Sequence, residues 1–202
     1  MSERHIGLAI TGASGAVYGL RIIEELVRAG CRLSILVSRP GFIVLREECG
    51  LDWHGDAARV TEEMSRHFSV AKGQLSYYAD DDFYSPLASG SSAPDAMIVA
   101  PCSMGSLARI AAGISGTLLE RAADVMLKEA RPLVLVPRET PLSVIHLENM
   151  LKLARMGVRI VPAMPGFYGG AQNVDDLIDF VAGKVLDGLG IAHQLSRRWA
   201  DA

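Results

Sequence analysis

Short hydrophobic runs alternate with amphipathic stretches along most of the chain. Apolar, β-branched runs bounded by Gly, Pro and polar residues are typical of buried strands. Such runs cover residues 6–10, 31–38, 96–100, 132–137 and 158–161, with a further short candidate at 75–78. Helical patterns cover residues 20–27, 42–48, 57–67, 107–112, 118–130 and 174–189. The pattern therefore predicts strands that alternate with helices.

One more helix is expected before the last strand. Thr140 offers an N-cap hydroxyl and Pro141 suits a first helical position, so the helix is predicted to start there. Leu147, Met150, Leu151 and Ala154 are predicted to form one face of this helix, with Glu148 and Lys152 paired on another.

Regular alternation of strand and helix is typical of a parallel, doubly wound sheet with helices on both faces. We therefore predict a three-layer α/β fold with five or six strands. No Pro/Gly/Ser-rich linker divides the 202 residues, so residues 1–202 are expected to form one domain.

Composition narrows the function classes. The formal net charge is −3, with Lys and Arg scattered, so binding to nucleic acid is not expected. The sequence has neither a signal-peptide pattern nor a long apolar run, and we expect a soluble, cytoplasmic protein without a membrane partner. Cys31, Cys49 and Cys102 are far apart and odd in number, which favours reduced thiols over a disulfide framework or a metal site.

Two turns rich in small residues follow predicted strands. Gly12, Ala13 and Gly15 allow close backbone approach, and Ser14 is placed to cap the following helix beside its free N–H groups. The segment 101–106 repeats the arrangement after another strand, so two anion-binding turns are expected at one sheet edge. The first turn lacks the GxGxxG and GK[ST] signatures of nucleotide-binding loops. A tight turn with a serine cap is the alternative.

Taken in order, TGASGAVYG, ASGSSAP, PCSMGSL, LLERAADV, PLVLVPRETPLS, HLENMLKL and PGFY resemble the UbiX/Pad flavin prenyltransferase family over nearly the whole chain. The resemblance implies flavodoxin-like, Rossmann-like subunits that assemble as dodecamers. It further implies transfer of a dimethylallyl group from dimethylallyl phosphate to N5 and C6 of reduced FMN. The product, prenylated FMN, is the cofactor of UbiD-type decarboxylases.

The resemblance also implies site residues, position by position. The FMN-binding residues would be Gly12, Ala13, Ser14, Ser38, Ser103, Met104, Gly105, Ser106 and Arg138. The allyl phosphate would be bound by Arg121, Lys128, Tyr168 and Lys184. Lys184 stands where the family generally has arginine, which keeps the charge but loses the bidentate fork. Phe83 replaces a tryptophan of close relatives, and Trp199 matches an aromatic residue near the C-terminus.

The chemistry of these residue types agrees with the resemblance. Ionisation of an allylic phosphate needs cations for the leaving group and π faces for the carbocation. The chain has no DDxxD motif for a Mg²⁺-bound diphosphate, so a metal-free mechanism is expected. Loss of a proton at C6 needs a base, for which Glu139 and Glu48 are the candidates, with Ser14 as a relay.

Two other functions share parts of this pattern. A flavin-dependent decarboxylase of the peptidyl-cysteine or phosphopantothenoylcysteine type would need an active-site histidine and a PxMNxxMW-like segment, where this chain has VPRETPLS. A simple flavin-binding carrier would not need the cations Arg121 and Lys128 or the aromatic Tyr168.

Overall fold

The computed structural model describes residues 3–168 and 170–195, so the predicted aromatic Trp199 lies outside the described residues. Its strands are β1 (His5–Ile10), β2 (Arg32–Val37), β3 (Leu75–Tyr77), β4 (Ala96–Cys102), β5 (Leu133–Pro137) and β6 (Arg159–Ile160). Its helices are α1 (Ala16–Arg28), α2 (Arg39–Cys49), α3 (Ala57–His67), α4 (Met104–Ala111), α5 (Leu118–Lys128), α6 (Val144–Arg155) and α7 (Val174–Leu189).

The six strands form one parallel sheet in the order β3-β2-β1-β4-β5-β6. The chain builds the sheet outward from β1 in one direction and from β4 in the other, so the order reverses between these two strands. In open α/β sheets, ligands bind at this switch point, beyond the carboxyl ends of the strands. The predicted doubly wound parallel sheet is confirmed.

Side chains of the central strands alternate between two hydrophobic clusters, one on each face of the sheet. Ile6, Leu8 and Ile10 of β1 pack into the cluster that contains residues of α1 and α7. Ala9 of β1 and Val99 of β4 pack into the cluster that contains residues of α4 and α5. The sheet therefore lies between two helical layers, as predicted for a three-layer fold.

The helix after β5 differs from its predicted form. It begins at Val144, and its N-cap is Ser143, whose hydroxyl accepts a 3.2 Å hydrogen bond from the His146 N–H. The predicted start at Thr140 and Pro141 is wrong, because these residues precede the first helical turn.

Much of the apolar surface of α6 is exposed. Leu147 and Leu151 are each 51% exposed, and the buried side chain is Leu153. Leu153 and the partly buried Met150 pack into the cluster of α4 and α5, so most of the predicted face of Leu147, Met150, Leu151 and Ala154 lies outside the core.

Candidate functional site

The two small-residue turns meet at the carboxyl ends of β1 and β4. Thr11 joins them: its buried hydroxyl donates a 2.8 Å hydrogen bond to the Pro101 carbonyl and accepts a 2.7 Å bond from the Ser103 N–H. Thr11 is part of the sequence motif, but its role as a bridge between the turns becomes visible only from the pairing of β1 with β4. This bridge fixes the spacing of the two turns.

Serine caps the two helices that start on either side of this junction. Ser38 caps α2 by accepting a 3.1 Å hydrogen bond from the Gly41 N–H. Ser103 caps α4 by accepting a 3.2 Å bond from the Ser106 N–H, and its hydroxyl donates to that of Ser106 at 3.0 Å. Helix N-termini attract anions through free N–H groups and the helix dipole.

A cleft of about 350 Å³ lies between these two helix N-termini. It is lined by Gly12, Ser38, Arg39, Pro40, Asp80, Ser103, Ser106, Arg109, Thr117, Leu119 and Glu120. A Cβ atom on Gly12 would collide with the Pro40 side chain, so glycine is required where the first turn passes α2. The cleft combines helix N-termini with two arginines, the features of a phosphate site.

The first turn caps its helix differently from the prediction. The N-cap of α1 is Gly15, in a left-handed conformation with φ of 103°, and not Ser14. In place of a serine cap, the Glu48 carboxylate accepts hydrogen bonds from the N–H groups of Gly15 at 2.7 Å and Ala16 at 3.3 Å. An acidic side chain from α2 thus occupies the position beside the N-terminus of α1.

The surroundings of Glu48 favour its ionised form. Partial burial acts to raise its pKa, but a hydrogen bond from the Ser14 side chain, the bonds from Gly15 and Ala16, and the charge of Arg138 together lower the pKa below its usual value. Arg138 also donates from Nε to the Ser14 carbonyl at 3.0 Å. Ser14 therefore joins Glu48 and Arg138 in one network.

Glu139 follows Arg138 at the end of β5, and its side chain is exposed. One of its carboxylate oxygens accepts a 3.0 Å hydrogen bond from the Thr140 N–H. The structure thus places Glu139 in the loop next to the Ser14–Glu48–Arg138 network.

A second group forms where the loop after β6 meets α7. The rings of Tyr168 and Phe180 pack edge to face with centroids 5.6 Å apart, and Lys184 Nζ lies 5.5 Å from the centroid of the Phe180 ring. A Cβ on Gly166 would lie 2.9 Å from atoms of both rings, so glycine permits this packing. Sequence reasoning missed Phe180, although its place one helical turn before Lys184 was a usable signal.

The other two predicted cations lie elsewhere, on α5. Arg121 donates from Nε to the Ala88 carbonyl at 3.1 Å and pairs with Asp124 at 2.7 Å. Lys128, at the far end of the helix, pairs with Glu129 against Gly90. Both side chains thus lie beside the loop around residues 88–90, whereas Tyr168 and Lys184 lie with α7 on the opposite face of the sheet.

The remaining predicted site residues lie around the two turns or in the loop before β4. Ala13 and Met104 are buried, and Gly105 has open space where a side chain would begin. Phe83 is 46% exposed.

Within residues 3–168 and 170–195, no group of three or more His, Cys, Asp or Glu side chains is arranged to hold a metal ion. Within the same ranges, none of the helices has the length and hydropathy that a membrane crossing requires.

Fold and site together define a doubly wound α/β protein with an anion-binding cleft at its switch point. A family model described as Flavoprotein matches residues 1–186. Flavin prenyltransferase UbiX of Halalkalibacterium halodurans is 53% identical over 194 residues, which cover 96% of this chain and 92% of that protein. The chain therefore belongs to the Flavoprotein family and, within it, to the flavin prenyltransferases named UbiX.

Solved structures agree with this assignment. The crystal structure of AnUbiX (PadA1) in complex with FMN and dimethylallyl pyrophosphate is 39% identical, has a TM-score of 0.86 and is matched over 98% of both chains. A dodecameric FMN-dependent UbiX-like decarboxylase from Escherichia coli O157:H7 is 40% identical, with a TM-score of 0.83, over 96% of this chain and 98% of that one.

Proposed function

We propose that this flavin prenyltransferase moves the dimethylallyl group of dimethylallyl phosphate onto N5 and C6 of reduced FMN. Reduced FMN supplies the two nucleophilic atoms, and the product is prenylated FMN for a UbiD-type decarboxylase. The observation that carries the proposal is the network in which Ser14 joins Glu48 to Arg138, beside a cleft flanked by two helix N-termini.

The cleft fits the phosphate of FMN. Ser38 and Ser103 mark two helix N-termini directed to one space, and Gly12 keeps the first turn free of a side chain there. We assign the phosphate to these residues and to Ser106, and the flavin ring to Arg138 and the neighbouring turn residues. Ala13, Ser14, Met104 and Gly105 complete the proposed FMN site.

The group of Tyr168, Phe180 and Lys184 suits an allylic phosphate. Lys184 provides positive charge for the leaving phosphate, and the aromatic rings of Tyr168 and Phe180 beside it are the groups proposed to stabilise an allylic cation. This assignment adds Phe180 to the residues that the motif PGFY implies.

Arg121 and Lys128 are proposed to reach the same phosphate from a second copy of the chain. Within one chain they lie with the α5 face, across the sheet from Lys184. Because the two groups lie on opposite faces of the sheet, we propose that they meet at one phosphate when two copies contribute. The dodecameric relative supports a symmetric homo-oligomer of this kind.

The carboxylates handle the proton that leaves C6. We propose that Glu139 accepts it, while the C=C double bond of the attached prenyl group takes up a proton as its carbon bonds to C6. Glu48 and the Ser14 hydroxyl are the proposed route by which these protons are passed on. Glu48 is ionised and can take up a proton, but the N–H groups of Gly15 and Ala16 lower its pKa and make it a weaker base, which suits a relay more than the final acceptor.

The reaction is proposed to need no metal, because protein cations take the place that Mg²⁺ has in diphosphate-dependent enzymes. Cys31, Cys49 and Cys102 are free thiols, which supports the cytoplasm as the site of action.

The geometry favours prenyl transfer over the decarboxylase alternative. None of the five histidines, all within the described residues, lines the cleft. His5 is buried among the strands, and His146 takes part in the cap of α6. A simple flavin carrier would not need the Tyr168–Lys184 group or Glu139.

The test is anaerobic incubation of the protein with reduced FMN and dimethylallyl phosphate, followed by mass spectrometry of the released flavin. We expect a mass increase of one C5H8 unit, unchanged by a metal chelator. A parallel reaction with dimethylallyl pyrophosphate identifies the preferred donor, and addition of an apo UbiD-type decarboxylase tests the recipient. Flavin of unchanged mass with both donors would contradict the proposal.

A further inference from the structure

Arg109 lines the same cleft as Ser38, Ser103 and Ser106, although no sequence motif pointed to it. It lies on α4, one helical turn beyond Ser106. Its Nε and Nη2 atoms both pair with the carboxylate of Glu120, the second bond at 3.2 Å. Two-point pairing fixes the plane of a guanidinium group.

Glu120 holds Arg109 in place and does not compete with a ligand for the cleft. Its side chain is only 6% exposed, and one carboxylate oxygen accepts hydrogen bonds from the N–H groups of Gly116 at 2.8 Å and Thr117 at 3.1 Å. Partial burial opposes the charge, but Arg109 and these N–H groups lower the pKa of Glu120 below its usual value. Glu120 is therefore an ionised, buried support for Arg109.

Arg109 itself remains available to a ligand. Its side chain is 49% exposed, and the two bonds to Glu120 leave its Nη1 atom without a protein partner among the described residues. The other acid of the cleft, Asp80, accepts hydrogen bonds from the Leu119 N–H and the Thr117 side chain, while burial raises the pKa of Asp80 above its usual value. Both acids thus bind protein groups within the cleft wall.

We propose that Arg109, oriented by Glu120, binds the phosphate of FMN and makes the enzyme select FMN over riboflavin. The inference rests on the proposed function and deepens it, since it names Arg109 as the residue that recognises the phosphate. Helix N-termini supply partial charges, whereas a guanidinium adds a full charge with directed N–H donors. Riboflavin has no phosphate for Arg109 to contact, so its affinity should be independent of this residue.

The experiment measures dissociation constants of FMN and riboflavin by flavin fluorescence for the wild type, Arg109→Ala, Arg109→Lys and Glu120→Gln. Loss of a charge-assisted hydrogen bond should weaken FMN binding by about 10- to 100-fold in Arg109→Ala and leave riboflavin binding unchanged. Arg109→Lys should lose less FMN affinity than Arg109→Ala. Glu120→Gln, which frees the guanidinium, should weaken the binding of FMN but not that of riboflavin. Arg66→Ala is the matched control, because Arg66 pairs with Glu62 on the surface of α3.

Thermal unfolding of each apo variant is recorded alongside, and Arg109→Lys is used under the same criteria if Arg109→Ala does not fold. Equal weakening of FMN and riboflavin would show a structural role for Arg109 and overturn the inference. Unchanged FMN affinity in the Arg109 variants would overturn it too. Failure of the wild type to bind FMN would instead contradict the proposed function.

Discussion

The carboxylate of Glu48 accepts a 2.7 Å hydrogen bond from the N–H of Gly15, which links the last turn of α2 to the first turn of α1. A carboxylate at the end of its own helix is opposed by that helix's dipole, but here the N-terminus of another helix stabilises it. The contact therefore fixes both the position and the charge of Glu48.

Glu48→Gln should keep the fold and lose activity. The amide oxygen can still accept from the Gly15 N–H, but the negative charge and the ability to take a proton are gone. A general base contributes about 10²- to 10⁴-fold in rate, so we expect a loss of activity of that order, together with a small loss of thermal stability because the charge at the N-terminus of α1 is removed. Glu47→Gln is the control, since Glu47 is exposed and pairs with Arg46. Equal rates of prenylated FMN formation in the two variants would exclude Glu48 from proton transfer.

Much of the fold could be predicted because the local signals were strong. The ranges 57–67 and 174–189 match α3 and α7, whose N-caps Asp56 and Asn173 accept hydrogen bonds from the N–H groups of Arg59 and Asp176. The site was harder to predict from the sequence. The Glu48–Gly15 bond joins residues 33 positions apart and depends on how α2 packs beside α1. No local pattern encodes that approach.

The start of α6 was missed for a chemical reason. Ser143 and His146 cap each other, with a histidine where the usual capping box has Glu or Gln. Thr140 and Pro141 form the more familiar start signal but lie in the loop.

Ser143→Ala should therefore destabilise the protein by about 1 kcal/mol, the usual contribution of an N-cap hydroxyl. Thr140→Ala should change the free energy of unfolding by less than about 0.5 kcal/mol, as for most surface substitutions. Urea denaturation of both variants provides the comparison. The reverse ranking would place the cap at Thr140 after all.

His5 should make stability depend on pH. Its side chain is buried, with Nε2 2.8 Å from the Ser34 hydroxyl; burial, then the charges of Arg32 and Arg131, lower its pKa to about 4 against the opposing effect of Asp95. The unfolded chain, with a histidine pKa of about 6.5, binds the proton first. Stability is therefore retained above pH 6.5 and lost as the pH falls towards 4, by up to about 3 kcal/mol.

Urea denaturation between pH 7 and pH 4.5 measures this effect, with His5→Gln as the comparison. Gln cannot titrate, so the variant should lose the part of the pH dependence that His5 causes. Parallel stability curves for the wild type and the variant would assign the acid sensitivity to other groups.

A pocket shared between copies predicts complementation. Arg121→Ala and Lys184→Ala should each slow the reaction, since each removes a proposed phosphate contact. When the two impaired variants are unfolded together and reassembled, some pockets will combine Arg121 of one copy with Lys184 of another, and activity should rise above that of either variant alone. A mixture as inactive as its components, with oligomers of wild-type size by light scattering, would place both residues in pockets of the same copy.

Glu139→Gln separates a prenyltransferase from a flavin carrier most directly. The neighbouring Arg138 contacts the Ser14 carbonyl and is the proposed flavin contact, whereas the Glu139 carboxylate is exposed and binds only the Thr140 N–H among the described residues. FMN affinity should thus remain near wild type, while formation of prenylated FMN falls by about 10²- to 10⁴-fold because the proton at C6 has no acceptor.

Glu148→Gln, an exposed position on α6, is the matched control. Single-turnover mass spectrometry and absorbance follow both variants. Product formation at the wild-type rate in Glu139→Gln would remove Glu139 from the mechanism, and the role would pass to Glu48 or to the phosphate of the substrate, with Ser14 as the relay.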